Sequence, residues 1–332
     1  MKDEHKFYLR SLQEGITSLL EEENVYFLGE DIAETYGGAF KVSDGLAAKF
    51  PDKVINTPMS EQAFTGMGIG MALAGMSPIV EIMFGDFVTL IMDQMLNHAS
   101  KIVGGFGKPL HMVVRAPMGG YRGYGATHSQ SLEKLYLGLP YINIVMPSVL
   151  ADPGKLLKNS ARLGEPVLFI ENKLDYTRKM FFSEKKSDFF TLTDYEGKFP
   201  IQELCIKDEK EEFVVITYGG LVSPTIDMIY DIYMEEEIAG KLISLTTLNN
   251  INFKLIAKLI KNKNLILLEE GHSTFGVGDS ILANLYKEGF RGEVKVIGTK
   301  MTIIGASKNI EDNVLPNFEK IKIAILKNIN LE

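Results

Sequence analysis

Short apolar runs alternate with amphipathic stretches along this chain. Residues 25–28 read as a strand that ends in the loop Gly29-Glu30-Asp31, 79–84 as a second and 111–115 as a third; 142–146 and 167–170 continue the series. Between them the pattern predicts a helix over 87–103 and another over 153–161. From 183 the texture changes, because charges cluster (Glu184-Lys185-Lys186, then 207–212) and periodicity weakens. Alternation restarts at 213–217, followed by a helix through Tyr233, strands at 242–245 and 265–268, and a Gly-rich turn over 271–278. Strand–helix alternation predicts an α/β fold with largely parallel sheets covered by helices on both faces. The expected division is a first domain over 1–185, a linker over 186–212 and a smaller α/β domain over 213–332.

A chain of 332 residues is long enough for two domains with their own cores. The formal charge of -8 argues against a nucleic-acid surface. Cys205 is the single cysteine, which excludes a disulfide framework and a Cys-based zinc site and makes a reducing, cytoplasmic setting the expectation. The start, Met1 to His5, is charged and lacks the apolar core of a signal peptide. Residues 63–80 carry no charge and imitate a membrane span. Gly66, Gly68, Gly70 and Gly75 interrupt them, however, and Pro78 ends them. The expectation is a buried helix packed closely on another helix, with no membrane contact.

Glu61 stands at the head of that run, after Asn56-Thr57-Pro58-Met59-Ser60; the nearest acids in sequence are Asp52 and Glu81. A carboxyl group there is poorly hydrated and suited to proton chemistry with an aromatic nitrogen, unless it serves only as a helix N-terminal charge. The loop 119–131 puts His128 after a flexible turn at the carboxyl end of a predicted strand, the edge where open α/β sheets bind ligands. An imidazole there can donate to a carbonyl oxygen or shuttle a proton, or simply bond to backbone. No His-x-x-x-His pair and no Gly-x-Ser-x-Gly elbow occur, so no metal ligands are assigned and a serine hydrolase is disfavoured. Residues 271–278 follow a strand and precede a helix. They could cradle an anion, but they lack the phosphate-loop and dinucleotide fingerprints and read better as a tight packing turn.

Several segments occur in a telling order: Glu30-Asp31 with residues 36–40, Thr57-Pro58-Met59-Ser60-Glu61-Gln62, residues 81–87, Asp93-Gln94, and His128-Ser129-Gln130-Ser131. Together they resemble the beta subunit of the thiamine-diphosphate-dependent decarboxylating component of 2-oxo acid dehydrogenase complexes. This is the pyruvate, branched-chain and acetoin group of the transketolase-like superfamily. The resemblance continues through Tyr218-Gly219, residues 245–248, Glu269-Glu270 and Gly276. It implies a pyrimidine-binding parallel-sheet domain followed by a smaller transketolase C-terminal-like domain. It also implies that Glu61 bonds the aminopyrimidine ring of thiamine diphosphate, that Phe84 and Phe87 flank that ring, and that Glu30 lies near the cofactor. His128 would contact substrate and help pass the acyl group to a lipoyl arm. The family's Gly-Asp-Gly and following asparagine, which hold magnesium and diphosphate, are absent; Ser43-Asp44-Gly45 is not that motif. A separate alpha subunit holding Mg2+, an α2β2 assembly and a lipoyl acyltransferase core are the implied partners. The implied reaction is oxidative decarboxylation of a small 2-oxo acid with acyl transfer to lipoamide, most nearly of the pyruvate dehydrogenase type. A biosynthetic thiamine-diphosphate acyl or ketol transferase or decarboxylase is the alternative, and a non-catalytic scaffold the third reading. The chain departs from the family at 102–107, which is shorter, and at 300–305, where a Pro-containing segment is usual.

Overall fold

In the computed structural model, which describes residues 7–195, 197–261 and 264–329, the apolar runs form two six-stranded sheets. The first holds β1 (Val25–Glu30), β2 (Val54–Thr57), β3 (Ser77–Glu81), β4 (Val113–Met118), β5 (Asn143–Val145) and β6 (Val167–Asn172). All are parallel, in the order β2-β1-β3-β4-β6-β5. β4 and β6 are buried at every position, which is why they read as continuous runs instead of alternating ones. Helices α1 (Tyr8–Leu20), α2 (Leu46–Lys49), α3 (Glu61–Leu73), α4 (Ser100–Phe106) and α5 (Pro153–Ala161) accompany this sheet.

The second sheet holds β7 (Phe190–Tyr195), β8 (Ile201–Ile206), β9 (Phe213–Tyr218), β10 (Gly240–Leu245), β11 (Asn264–His272) and β12 (Val294–Thr299), in the order β12-β11-β9-β10-β8-β7. Its helices are α6 (Val222–Glu236), α7 (Phe253–Ile260), α8 (Val277–Lys287), α9 (Lys308–Val314) and α10 (Phe318–Ile329). The two sheets share one apolar core, to which Ile144, Met146, Leu245 and Leu248 all belong. The backbone also crosses between them: Met146 donates to the Thr246 carbonyl at 2.9 Å and Leu248 to that of Ile144 at 3.1 Å.

Three expectations change. The stretch 186–212, read as a linker, contains the β7–β8 hairpin, and β8 pairs antiparallel with β10 as part of the second sheet. Its charges flank the hairpin, and the outer face of β7 is solvated, which masks the strand pattern. The helix expected over 87–103 breaks into a 3-10 turn over Gly85–Ile91, a π-helical stretch over Gln94–Ala99 and α4. Finally, only one side of α3 is buried within this chain. Gly68 lets it close on Val80, but Met59, Met67 and Leu73 are exposed and Gly66 and Gly70 face open space. Among the described residues no helix is long and apolar enough to cross a membrane. The charged start, Met1 to His5, lies outside the described residues.

Glycine has a measurable role where α1 crosses α5. A Cβ on Gly154 would lie 2.2 Å from the Ser11 carbonyl oxygen, and one on Gly15 would lie 2.5 Å from the Gly154 Cα. Backbone meets backbone there, so neither side can yield by changing rotamer. Gly154→Ala is expected to destabilise the fold by about 1–3 kcal/mol, read as a lowered urea midpoint at unchanged slope.

Candidate active site

The carboxyl ends of β1, β2 and β3 converge on two acids. Glu30 closes β1 opposite Thr57, the last residue of β2. Thr57 is followed by the turn that delivers Glu61 as the first residue of α3. Both acids are buried, and one Glu30 oxygen, Oε2, finds no hydrogen-bond partner among the described residues. Burial first, then the charges of Glu61 and Asp31, raise the Glu30 carboxyl from an ordinary 4.5 to about 7. Glu61 is therefore not the isolated acid that its sequence neighbours suggested. The pair was invisible in sequence because parallel pairing of β1 with β2 brings the two together.

Aromatic rings line the next side. Phe84 follows β3, and its ring lies 6.3 Å from that of Phe87, edge to face. The His128 imidazole meets Phe84 at 4.4 Å and Phe87 at 5.5 Å. The structure thus brings Phe84, Phe87 and His128 into one cluster, with Glu30 and Glu61 at the same sheet edge. The Thr127 hydroxyl lies 2.9 Å from His128 Nδ1.

His128 rides on the loop after β4, and the second domain fixes that loop. Glu270 in β11 accepts from the Gly120 N–H, and Glu311 in α9 accepts from the Gly123 N–H. The Tyr121 hydroxyl donates to the Pro316 carbonyl at 2.8 Å. From below, the ammonium of fully buried Lys173 donates to the His128 carbonyl oxygen. Lys173 Nζ lies 5.7 Å from the Phe84 centroid and 5.8 Å from that of Tyr124. Burial lowers this amine to about 8, against an opposing pull from Asp86 and Glu270. Asp86 in turn accepts from the Gln130 side chain at 2.9 Å, holding the residue two beyond His128.

Beneath the aromatic cluster lies a buried ion network. Arg115 in β4 donates to both oxygens of Glu171 (2.7 and 2.6 Å) and to Glu81, and Tyr176 donates to Glu171. Sequence reasoning passed over Arg115 and Lys173. The signal for Arg115 was its place between Val114 and Ala116 inside an apolar strand, where a cation needs anionic partners. The turn over 271–278 is filled by the protein itself: Glu269 accepts from Val277 N–H (2.8 Å) and Gly278 N–H (3.1 Å). Among the described residues no group of three His, Cys, Asp or Glu side chains is placed to hold a metal ion.

Two family models match the chain: the pyrimidine-binding domain of transketolase over residues 10–179 and the transketolase C-terminal domain over 203–321. The human mitochondrial pyruvate dehydrogenase E1 component subunit beta is 32% identical over 332 residues, covering 97% of this chain and 90% of that one. The chain belongs to the transketolase-like E1 beta family. Its yeast relative of the same printed name is 33% identical over 285 residues, covering 83% of this chain and 75% of that protein. Among solved structures, a split-gene transketolase in an inactive beta4 tetramer superposes with a TM-score of 0.73 over 98% of this chain and 99% of that one; at 17% identity it shows the shared fold. Glu30, Glu61, Phe84, Phe87 and His128 all fall inside the pyrimidine-binding match of this E1 beta chain. The C-terminal match begins inside β8, in the stretch first read as a linker.

The Glu30 carboxyl also makes this E1 beta fold sensitive to pH. It holds its proton to about 7 in the fold, against 4.5 ordinarily. A raised folded value favours the fold at low pH, and the advantage disappears as pH climbs from 4.5 through about 7. The melting temperature is expected to be higher at pH 5 than at pH 8, and Glu30→Gln to shrink that difference. An undiminished difference in the variant would show that the carboxyl is not strained in the fold.

Proposed function

We propose that this chain is the pyrimidine-side half of a thiamine-diphosphate-dependent 2-oxo acid dehydrogenase component, with chemistry of the pyruvate dehydrogenase type. The observation that carries this reading is the pairing of Glu61 with Glu30 beside the Phe84, Phe87 and His128 rings. The unsatisfied Glu30 oxygen suits a donor on an aminopyrimidine, and flat aromatic faces suit a flat ring. When bound, thiamine diphosphate supplies the electron-accepting centre that a 2-oxo acid needs to lose carbon dioxide.

This chain's own residues then have distinct tasks. Glu61 makes the hydrogen bond to a ring nitrogen in a poorly hydrated setting. Glu30, retaining its proton to about 7, avoids a second negative charge beside it. His128 donates to or accepts from the substrate oxygen, with its backbone held by Lys173. Phe84 and Phe87 exclude water and thereby strengthen each of these interactions.

An alpha subunit carrying the diphosphate and Mg2+ site completes the proposal, in an α2β2 assembly that hands the acyl group to a lipoyl acyltransferase core. The exposed Met59, Met67 and Leu73, next to the open surface at Gly66 and Gly70, support a partner seated on α3. The test is co-expression with a chain carrying the Gly-Asp-Gly motif, followed by carbon dioxide release from a panel of 2-oxo acids. Activity is expected only when both chains, thiamine diphosphate and Mg2+ are present. Full activity of this chain alone, or none of the pair on any 2-oxo acid, would overturn the reading.

A further inference from the structure

A small cavity lies between the two domains. Ser131, Glu133 and Asn172 line it from the first, and Tyr218, Gly220 and Glu270 from the second. About 10 Å³ of it is open to the centre of a water-sized particle, which is room for one such particle.

The wall is acidic, and its acids are not equally answered. Glu171, which also lines the cavity, has both oxygens bonded by Arg115 and one of them by Tyr176 as well. Glu270 accepts from the Gly120 N–H and from the Asn172 amide, and Lys173 offsets its charge. Glu133, 1% exposed, has no such answer. The Tyr218 hydroxyl donates to its Oε1 at 2.8 Å, but Oε2 finds no hydrogen-bond partner among the described residues and is the oxygen left for the cavity. Lys134, its sequence neighbour, turns its ammonium to the carbonyls of His272 (3.4 Å) and Thr274 (3.1 Å). Burial raises the Glu133 carboxyl only to about 6, so at neutral pH the group is ionised. A buried carboxylate with a bare oxygen calls for a counter-charge.

We propose that this cavity binds one small monovalent cation (potassium, sodium or ammonium) at Glu133 Oε2, with oxygens of Glu270, Ser131 and Tyr218 around it. A water would satisfy the bare oxygen and leave its charge unanswered. A divalent ion would need more carboxylates or retained waters than this space and wall provide, since no third acid or imidazole is placed to join such a site. Bound there, the ion would join Ser131, three residues past His128, to Glu270, which clasps Gly120. It would thus brace both ends of the imidazole loop from behind. The inference goes beyond the proposed reaction and does not depend on it.

The experiment melts the full chain at pH 7.5 in potassium, sodium or ammonium nitrate, and in tetramethylammonium nitrate at the same ionic strength. The last cation is too large for the cavity. At least one small cation is expected to raise the melting temperature by about 2–5 °C over tetramethylammonium. Glu133→Gln keeps an acceptor for Tyr218 and removes the charge. It is expected to abolish that rise and to melt above the wild type in tetramethylammonium. In parallel, wild-type crystals soaked in thallous nitrate are expected to show an anomalous peak in the cavity. A wild type indifferent to the cation overturns the proposal, and so does a variant that keeps the full response. Thallium found only elsewhere, or density in the cavity without anomalous signal, assigns the space to water and overturns it as well.

Discussion

Glu61→Gln is expected to lower turnover of the assembled enzyme by about a hundredfold to ten-thousandfold while leaving weakened cofactor binding. The amide preserves the size of the side chain and its place at the head of α3, but it cannot exchange a proton with a ring nitrogen. Removing the Glu61 charge also removes one of the influences that hold the Glu30 carboxyl up, so Glu30 should ionise at lower pH in the variant. The measurements are steady-state carbon dioxide release and a thiamine diphosphate titration on the same preparation. Turnover close to wild type would remove Glu61 from proton chemistry.

The second large effect concerns stability. Arg115 is 1% exposed and is the sole positive partner of Glu81 and Glu171 within the described network. Arg115→Met is expected to cost about 3–5 kcal/mol, because it leaves two buried carboxylates without a counter-charge. Urea unfolding at pH 7 measures the loss. Adding Glu81→Gln and Glu171→Gln to the same chain should recover part of it, since the uncompensated charges disappear with the cation. A near-neutral single substitution would mean that the carboxylates take up protons at little cost. The network also reaches the site: Tyr176, bonded to Glu171, packs on Phe40 at 5.5 Å, and Phe40 packs on Phe84 at 5.4 Å.

The apolar runs at 25–28, 79–84 and 167–170 located strands of the first sheet because buried parallel strands are written as uninterrupted hydrophobic text. The helix at 153–161 was equally plain, with Asp152 as its cap and Pro153 in its first turn. His128 stood out because it follows a turn at a strand's carboxyl end, and Glu61 because it is the lone acid at the head of an uncharged run. Long-range pairing was not legible. Nothing local connects Glu30 to Glu61, Gly123 to Glu311, or Lys173 to the backbone of His128. The β7–β8 hairpin was missed for a different reason: an edge strand with a wet face carries a weak pattern, and charged neighbours drown it. The 87–103 segment read as one helix because a 3-10 turn and a π-helical stretch share the apolar spacing of a regular helix closely enough.

The clasp on the imidazole loop spans 150 residues of sequence at Gly120 and 188 at Gly123. A gene shortened at its 3′ end would therefore loosen a loop encoded near its middle, although Glu30, Glu61, Phe84, Phe87 and His128 would still be translated. The second lobe works as a mould: none of the sequence-predicted site residues lies in it, yet the loop that carries His128 is bonded to it at Gly120, Tyr121 and Gly123.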